Sequence, residues 1–252
     1  VTPDWQNFSQ VPGRPPYVER FAARMPDGRF LDLPLRETGD IAVADFIAEQ
    51  ASFLVIDALA EWLARAVRPL RPDVVVGLSG RGSILAAEVA RRLSHANWVP
   101  ATDRPRAWFT EALSVPAPSD AGAAPGGGAA RWWLDPASVP RLRGRRVLLV
   151  HDVLGPACGL EAAASLPARA GAQSTIVAVA VVQGDRWVAD RLADFPVVAV
   201  FATPSFQLSV GGWVPNEGSA VWRVCPLFRH GAMRPGEAGA APSVARGAGG
   251  TV

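Results

Sequence analysis

Two loops carry residues whose types and spacing suit phosphate binding. In "DVVVGLSGRGSILAAEVA" (73–90) an apolar run leads into Ser79, Gly80, Arg81 and Gly82 and then into a helical pattern. The glycines let the backbone approach a ligand, and Ser79 and Arg81 add a hydroxyl and a guanidinium. In "RRVLLVHDVLGPACGLEA" (145–162) a second apolar run ends in His151 and Asp152. It then crosses Gly155, Pro156, Ala157, Cys158 and Gly159 before another helical pattern. A helix that starts just after a strand and a tight loop offers unpaired N–H groups to an anion.

The second loop mixes groups that suit a sugar phosphate with groups that do not. Asp152 can accept from two hydroxyls, whereas a neutral imidazole at His151 accepts from one and an imidazolium from none. Pro156 removes an N–H donor, and Cys158 is a poor hydrogen bonder. Cys158 has two readings, a small buried thiol or a thiol activated at a helix N-terminus. His151 is either a strand-end packing residue or a catalytic one, and Asp152 either a loop cap or a carboxylate that binds a ligand.

The elements that must position these loops alternate. The spacing predicts a hairpin over 21–36 with Asp27-Gly28 as its turn, and a helix over 41–67 capped by Asp40 and closed by Pro69 and Pro72. A strand over 73–78, a helix over 83–93 and a strand over 97–100 follow. Residues 101–130 form a long Pro/Ala/Gly segment from which 131–135 returns as a strand. A strand over 145–154, a helix over about 159–169, a strand over 174–182, a short helix over 186–193 and a strand over 196–203 complete the pattern. Strand-helix-strand alternation from 73 to 203 predicts an α/β fold, a doubly wound and mainly parallel sheet flanked by helices. Such sheets bind ligands at the carboxyl ends of their strands, where both loops fall.

Composition narrows the class. The chain has 252 residues and a formal charge of +2, enough for one sizeable α/β domain. All 25 basic Lys+Arg residues are arginine, so every fixed side-chain cation that meets phosphate is a guanidinium. No block of like charge points to nucleic acid or to a membrane surface. Two cysteines and three scattered histidines make neither a disulfide framework nor a metal site. No leader and no apolar run of about 20 residues is visible, and a cytoplasmic setting is the expectation. A Gly-x-Ser-x-Gly elbow and a Walker-type Gly-Lys-Ser/Thr run are missing, which argues against a hydrolase or a P-loop protein.

The strand "VLLVHDVLGPACGL", with the earlier Ser79–Gly82 loop and "PATDRPRAWF" (100–109), resembles the type I phosphoribosyltransferases, and most closely their adenine phosphoribosyltransferase-like branch. The resemblance spans about 30–215. It implies a site for phosphoribosyl pyrophosphate made by Ser79, Gly80, Arg81, Gly82, Arg104, Arg106, His151, Asp152, Gly155, Ala157, Cys158 and Gly159. It implies base stacking by Trp108 and Phe109, catalytic roles for Asp152 and Glu111, and Asp152 near a magnesium ion. The implied reaction is attack of a base nitrogen on the ribose C1 as magnesium pyrophosphate leaves, driven by positioning and electrostatics. The implied organisation is an irregular segment over 1–20, one domain over 21–230 with a hood from about 21–40 and 204–230 and an insert over about 110–130, and a disordered tail over 231–252. A homodimer is also implied.

The chain departs from that pattern. His151 stands where the family has an acid, and Pro156, Ala157 and Cys158 stand in a loop that is richer in Thr, Ser and Gly. Each charge-assisted hydrogen bond lost is worth roughly 1.5–3 kcal/mol. Two losses weaken phosphate binding by about 100-fold or more. A nucleotide- or sugar-phosphate-binding protein with little or no turnover is therefore the alternative reading.

Overall fold

The computed structural model describes residues 4–80, 82–117, 131–155, 159–185 and 195–219. Expectations for Arg81, for Pro156, Ala157 and Cys158, for the helix over 186–193, for most of the 110–130 insert and for the tail lie outside the described residues.

The larger of two sheets has the strand order β11-β10-β9-β5-β6-β8-β7. Its parallel part is β5 (Val74–Leu78), β6 (Val99–Thr102), β9 (Arg146–Leu154), β10 (Ser174–Gln183) and β11 (Val197–Thr203). The centre is nearly all apolar because both faces are covered. Helices α1 (Phe53–Val67) and α2 (Ser83–Arg92) share one core cluster with Val75, Leu148, Val150 and Ala178. Helix α4 (Leu160–Arg169), with Leu142 of the short α3 (Val139–Leu142), shares the other with Val76, Leu149 and Val177. Adjacent strand residues thus feed opposite cores, and the sheet is doubly wound as expected.

The smaller, antiparallel sheet runs β1-β3-β4-β12-β13, with β2 also on β3. It comprises β1 (Phe8–Ser9), β2 (Arg20–Arg24), β3 (Phe30–Thr38), β4 (Ile41–Ala44), β12 (Ser205–Ser209) and β13 (Gly212–Pro215). The 21–36 hairpin forms, its turn closed by the Gly28 N–H donating to the Met25 carbonyl at 3.0 Å. Trp5 and Tyr17 from the N-terminal residues enter the core, Tyr17 packing edge-on to Phe21 and Phe206. The chain passes from β11 to β12 across Pro204 alone, so the two sheets are linked at the carboxyl end of the large one.

Three expectations are corrected. The helix over 41–67 is two elements: Ile41–Ala44 is a strand, and the helix begins at Phe53 with Ser52, not Asp40, accepting from the Val55 N–H at 3.2 Å. Ile41, Ala42, Val43 and Ala44 are all buried. Pairing with β3 and β12 overrides a periodicity that small apolar residues satisfy in either conformation. Phe53 and Leu54, at the start of this helix, are 82% and 54% exposed. The strand read over 97–100 starts at Val99 instead. Finally, part of the irregular 101–130 segment is ordered: a 3-10 turn (Glu111–Leu113) leads into β7 (Ser114–Pro116), which pairs antiparallel with β8 (Arg131–Leu134). Leu113 and Val115 are buried in the core that includes α4, and this burial holds β7 in place.

Candidate functional site

β5 ends at Leu78 and the first loop begins. The Ser79 N–H donates to the Ala101 carbonyl at 2.8 Å, fastening the loop to the end of β6. Gly80 has φ +86, a backbone geometry that favours glycine. Gly82 is the N-cap of α2, and no side-chain cap hydrogen bond reaches its first turn among the described residues. A Cβ at Gly82 would sit 2.6 Å from the Val150 carbonyl oxygen and 3.0 Å from the His151 Cα. Absence of that Cβ lets the first loop lie directly on β9 at the start of the second. The Ser79 hydroxyl oxygen is buried without a hydrogen-bond partner among the described residues.

β9 supplies the second half. It outruns β5, whose last pairing with it is Gly77 to Val150, so His151 lies level with Leu78, the last residue of β5, and Asp152 stands past it. His151 is 5% exposed and Asp152 is 0% exposed. Asp152 Oδ2 accepts from the Ala48 N–H at 3.4 Å, and Oδ1 lies 3.1 Å from His151 Nδ1. His151 Nδ1 is also 3.0 Å from the Val153 carbonyl, with the Val153 N–H at 3.3 Å. In the tautomer whose Nδ1–H donates to the Val153 carbonyl, Nε2 is left as an acceptor. Gly159 follows at φ +61 as the N-cap of α4, again with no side-chain cap. Both loops thus lead into helices with no side-chain cap hydrogen bond among the described residues.

The remaining candidates divide. Arg104 and Arg106 follow the carboxyl end of β6 and are exposed. The Thr102 hydroxyl accepts from the Arg104 N–H at 3.1 Å, and the Arg106 guanidinium lies 5.6 Å from the centre of a Trp108 ring. Trp108 is held elsewhere: its indole N–H donates to Asp135 Oδ2 at 3.4 Å, just after β8, and Phe109 packs edge-on to it. Glu111 is exposed in the 3-10 turn before β7. In the sheet order β8 is three strands from β9 and β7 four, a lateral separation of about 14 Å or more at ~4.8 Å per strand. The structure thus groups Ser79, Gly80, Gly82, His151, Asp152, Gly155 and Gly159, and leaves Trp108, Phe109 and Glu111 at the far side of the sheet.

Two residues at this edge escaped the sequence reading. Gln183 ends β10 beside Gly155 and donates to the Ala44 carbonyl at 2.6 Å, tying the large sheet to β4. Thr203 ends β11, fully buried, with no hydrogen-bond partner for its hydroxyl oxygen among the described residues. The signal was present: a polar residue closing each apolar run, "VAVVQ" and "VFAT", at the carboxyl end of a parallel strand.

The donor set fits a resident magnesium ion poorly. Mg2+ favours oxygen ligands in octahedral geometry. The site offers one carboxylate, already turned to Ala48, and an imidazole in place of a second. No cluster of three or more His, Cys, Asp or Glu suited to a metal occurs among the described residues.

A family profile described as phosphoribosyl transferase domain matches residues 43–208. No curated protein matches the chain. Among solved structures, adenine phosphoribosyltransferase from Thermoanaerobacter pseudethanolicus is 19% identical with a TM-score of 0.45, over 59% of this chain and 80% of that one. The adenine phosphoribosyltransferase from Rhodothermus marinus is 18% identical with a TM-score of 0.44, over 65% and 94%. The purine phosphoribosyltransferase from Pyrococcus horikoshii is 20% identical with a TM-score of 0.40, over 60% and 85%.

Proposed function

The chain belongs to the phosphoribosyl transferase domain family, and from that premise we propose that it transfers ribose 5-phosphate from phosphoribosyl pyrophosphate to a nucleobase or related acceptor. The carrying observation is the seating of the Ser79–Gly82 loop on β9 at Val150 and His151. It sets one uncapped helix N-terminus beside the strand that leads to another, a spacing suited to two phosphate groups on one sugar. In this reading the α2 amides and the Ser79 hydroxyl hold pyrophosphate, and the α4 N-terminus holds the 5′-phosphate. His151 Nε2 accepts from a ribose hydroxyl. The ribose C1–oxygen bond to pyrophosphate breaks, a C1–nitrogen bond forms, and the acceptor's proton passes to solvent. Magnesium arrives and leaves on the pyrophosphate. Arg104, just past the carboxyl end of β6, supplies guanidinium charge toward the leaving group, whereas Arg106 is drawn to the Trp108 ring.

A second reading, a ligand-binding protein with little turnover, is favoured by Asp152. Its carboxylate faces the Ala48 turn and the His151 ring, not a solvent-facing sugar site. Calorimetric titration of magnesium phosphoribosyl pyrophosphate into wild type and Ser79→Ala, followed by product analysis with a panel of bases, separates the two. Saturable binding weakened about tenfold by Ser79→Ala (about 1.4 kcal/mol), with nucleotide and pyrophosphate formed, supports the transferase. The same binding without product supports the second reading. No binding at millimolar ligand overturns both.

A further inference from the structure

The amino edge of the large sheet lies opposite the phosphate loops. Because β5, β6 and β9 run parallel, the residues just before them (Asp73, Asn97 and Arg145) gather at that edge. Between them is a cavity of about 320 Å3, lined by Asp73, His95, Asn97, Arg141 and Arg145 among others. Small-ligand sites span roughly 300–1,000 Å3. Five residues of β5, at ~3.3 Å each, set this cavity about 16 Å from the Ser79 loop.

The charge in the cavity is one-sided. Asp73 is already neutralised: Arg146 meets both its carboxylate oxygens, at 3.0 and 3.1 Å, and donates its backbone N–H at 2.9 Å. Arg141 donates to the Asn97 side-chain oxygen and, at 3.1 Å, to the Trp98 carbonyl. Both acceptors are neutral. Arg145 is exposed and makes no side-chain hydrogen bond or salt bridge among the described residues; its one attraction is a through-space pull on Asp73. Two guanidinium charges thus border the cavity with no carboxylate of their own.

Backbone donors add to them. Ser94 adopts φ +64 and closes α2, its N–H donating to Arg91 and the His95 N–H to Ala90. These bonds occupy helix-end carbonyls that would otherwise repel an anion. The next two amides, of Ala96 and Asn97, donate to no group among the described residues. Guanidinium groups with spare donors and adjacent free amides match the oxygens of a phosphate.

We propose that this cavity is a second binding site, for a small phosphorylated anion, on the edge of the sheet away from the transferase site. It is independent of the reaction proposed above. Inorganic pyrophosphate is titrated into the 15N-labelled full chain. The expected result is saturable movement of the Ala96 and Asn97 amide signals. Arg145→Ala weakens that saturation at least about tenfold, while Ser79→Ala leaves it unchanged. Arg145 supports no other group, so the variant keeps the fold, and Arg141→Gln is the second test of the same charge. ADP titrated alongside identifies the source of the phosphate: tighter saturation than pyrophosphate means that a nucleoside fills the rest of the cavity, equal saturation that the phosphates alone are held. Ala96 and Asn97 signals that stay fixed up to about 10 mM pyrophosphate (about −2.7 kcal/mol of affinity) overturn the proposal. So does saturation as tight in Arg145→Ala as in wild type.

Discussion

Replacing Gly82 with alanine tests whether the contact between the first loop and β9 is as rigid as the geometry requires. Gly82 has φ −120 and ψ −7, which alanine adopts, so any penalty is steric. The new Cβ would meet the Val150 carbonyl oxygen at 2.6 Å, the His151 Cα at 3.0 Å and the Leu78 carbonyl oxygen at 3.2 Å. All three are backbone atoms of paired strands or their loop, and none is the free end of a side chain. Overpacking in such places costs typically 1–3 kcal/mol, and three unyielding contacts put Gly82→Ala near the top, at about 3 kcal/mol. For a chain of this length that lowers the melting temperature by about 6–12 °C. Gly80→Ala is the control. Its φ is +86 but nothing lies within 4 Å of the added Cβ, so it costs only the backbone term, about 1 kcal/mol. Urea unfolding of both variants, with phosphoribosyl pyrophosphate titrations on the folded proteins, makes the comparison. A Gly82→Ala variant that unfolds at the wild-type midpoint refutes the reasoning, because the loop would then have room to spare against β9.

Two further outcomes follow from contacts away from the ligand. Gln183→Ala leaves the Ala44 carbonyl without its 2.6 Å buried partner and is expected to lower stability by about 1–3 kcal/mol, read by urea unfolding; an unchanged midpoint would mean that this link between the sheets carries no energy. Arg146 holds the Asp73 carboxyl down to about 2 from 3.8, so the ion pair's contribution is complete above the unfolded value and is lost as pH falls from about 4 to about 2. The pair is partly exposed and worth about 1 kcal/mol or less; the difference in stability between wild type and Asp73→Asn should shrink over that window, and a constant difference would contradict the assignment.

The parallel strands and both loops were legible in the sequence because their signals are local. The runs "VVVGL", "VLLV" and "IVAVAVV" at the heart of these strands are apolar on every residue, as a strand covered on both faces requires. The glycines at 80, 82 and 159 mark the turns directly. Ile41–Ala44 misled for the opposite reason. Its small apolar side chains satisfy a helical spacing as readily as a strand, and the choice is made by β3 and β12, one of them over 160 residues away. Trp108 and Glu111 were assigned to the site by their order in the chain. The return of the segment through β7 and β8 carries them to the far side of the sheet.

The sequence by itself determined the fold class, the two strand-loop-helix units and the His151-Asp152 pair that closes the second apolar run, since these depend on residue type and short-range period. Only the tertiary structure decided what those residues face. Asp152 meets an amide 104 positions earlier in the chain, that of Ala48, and the first loop presses on the backbone of a strand about 70 residues later. The amino-edge cavity joins Arg141 and Arg145 to the end of α2. Such contacts arise from sheet order and helix packing, which no local pattern encodes.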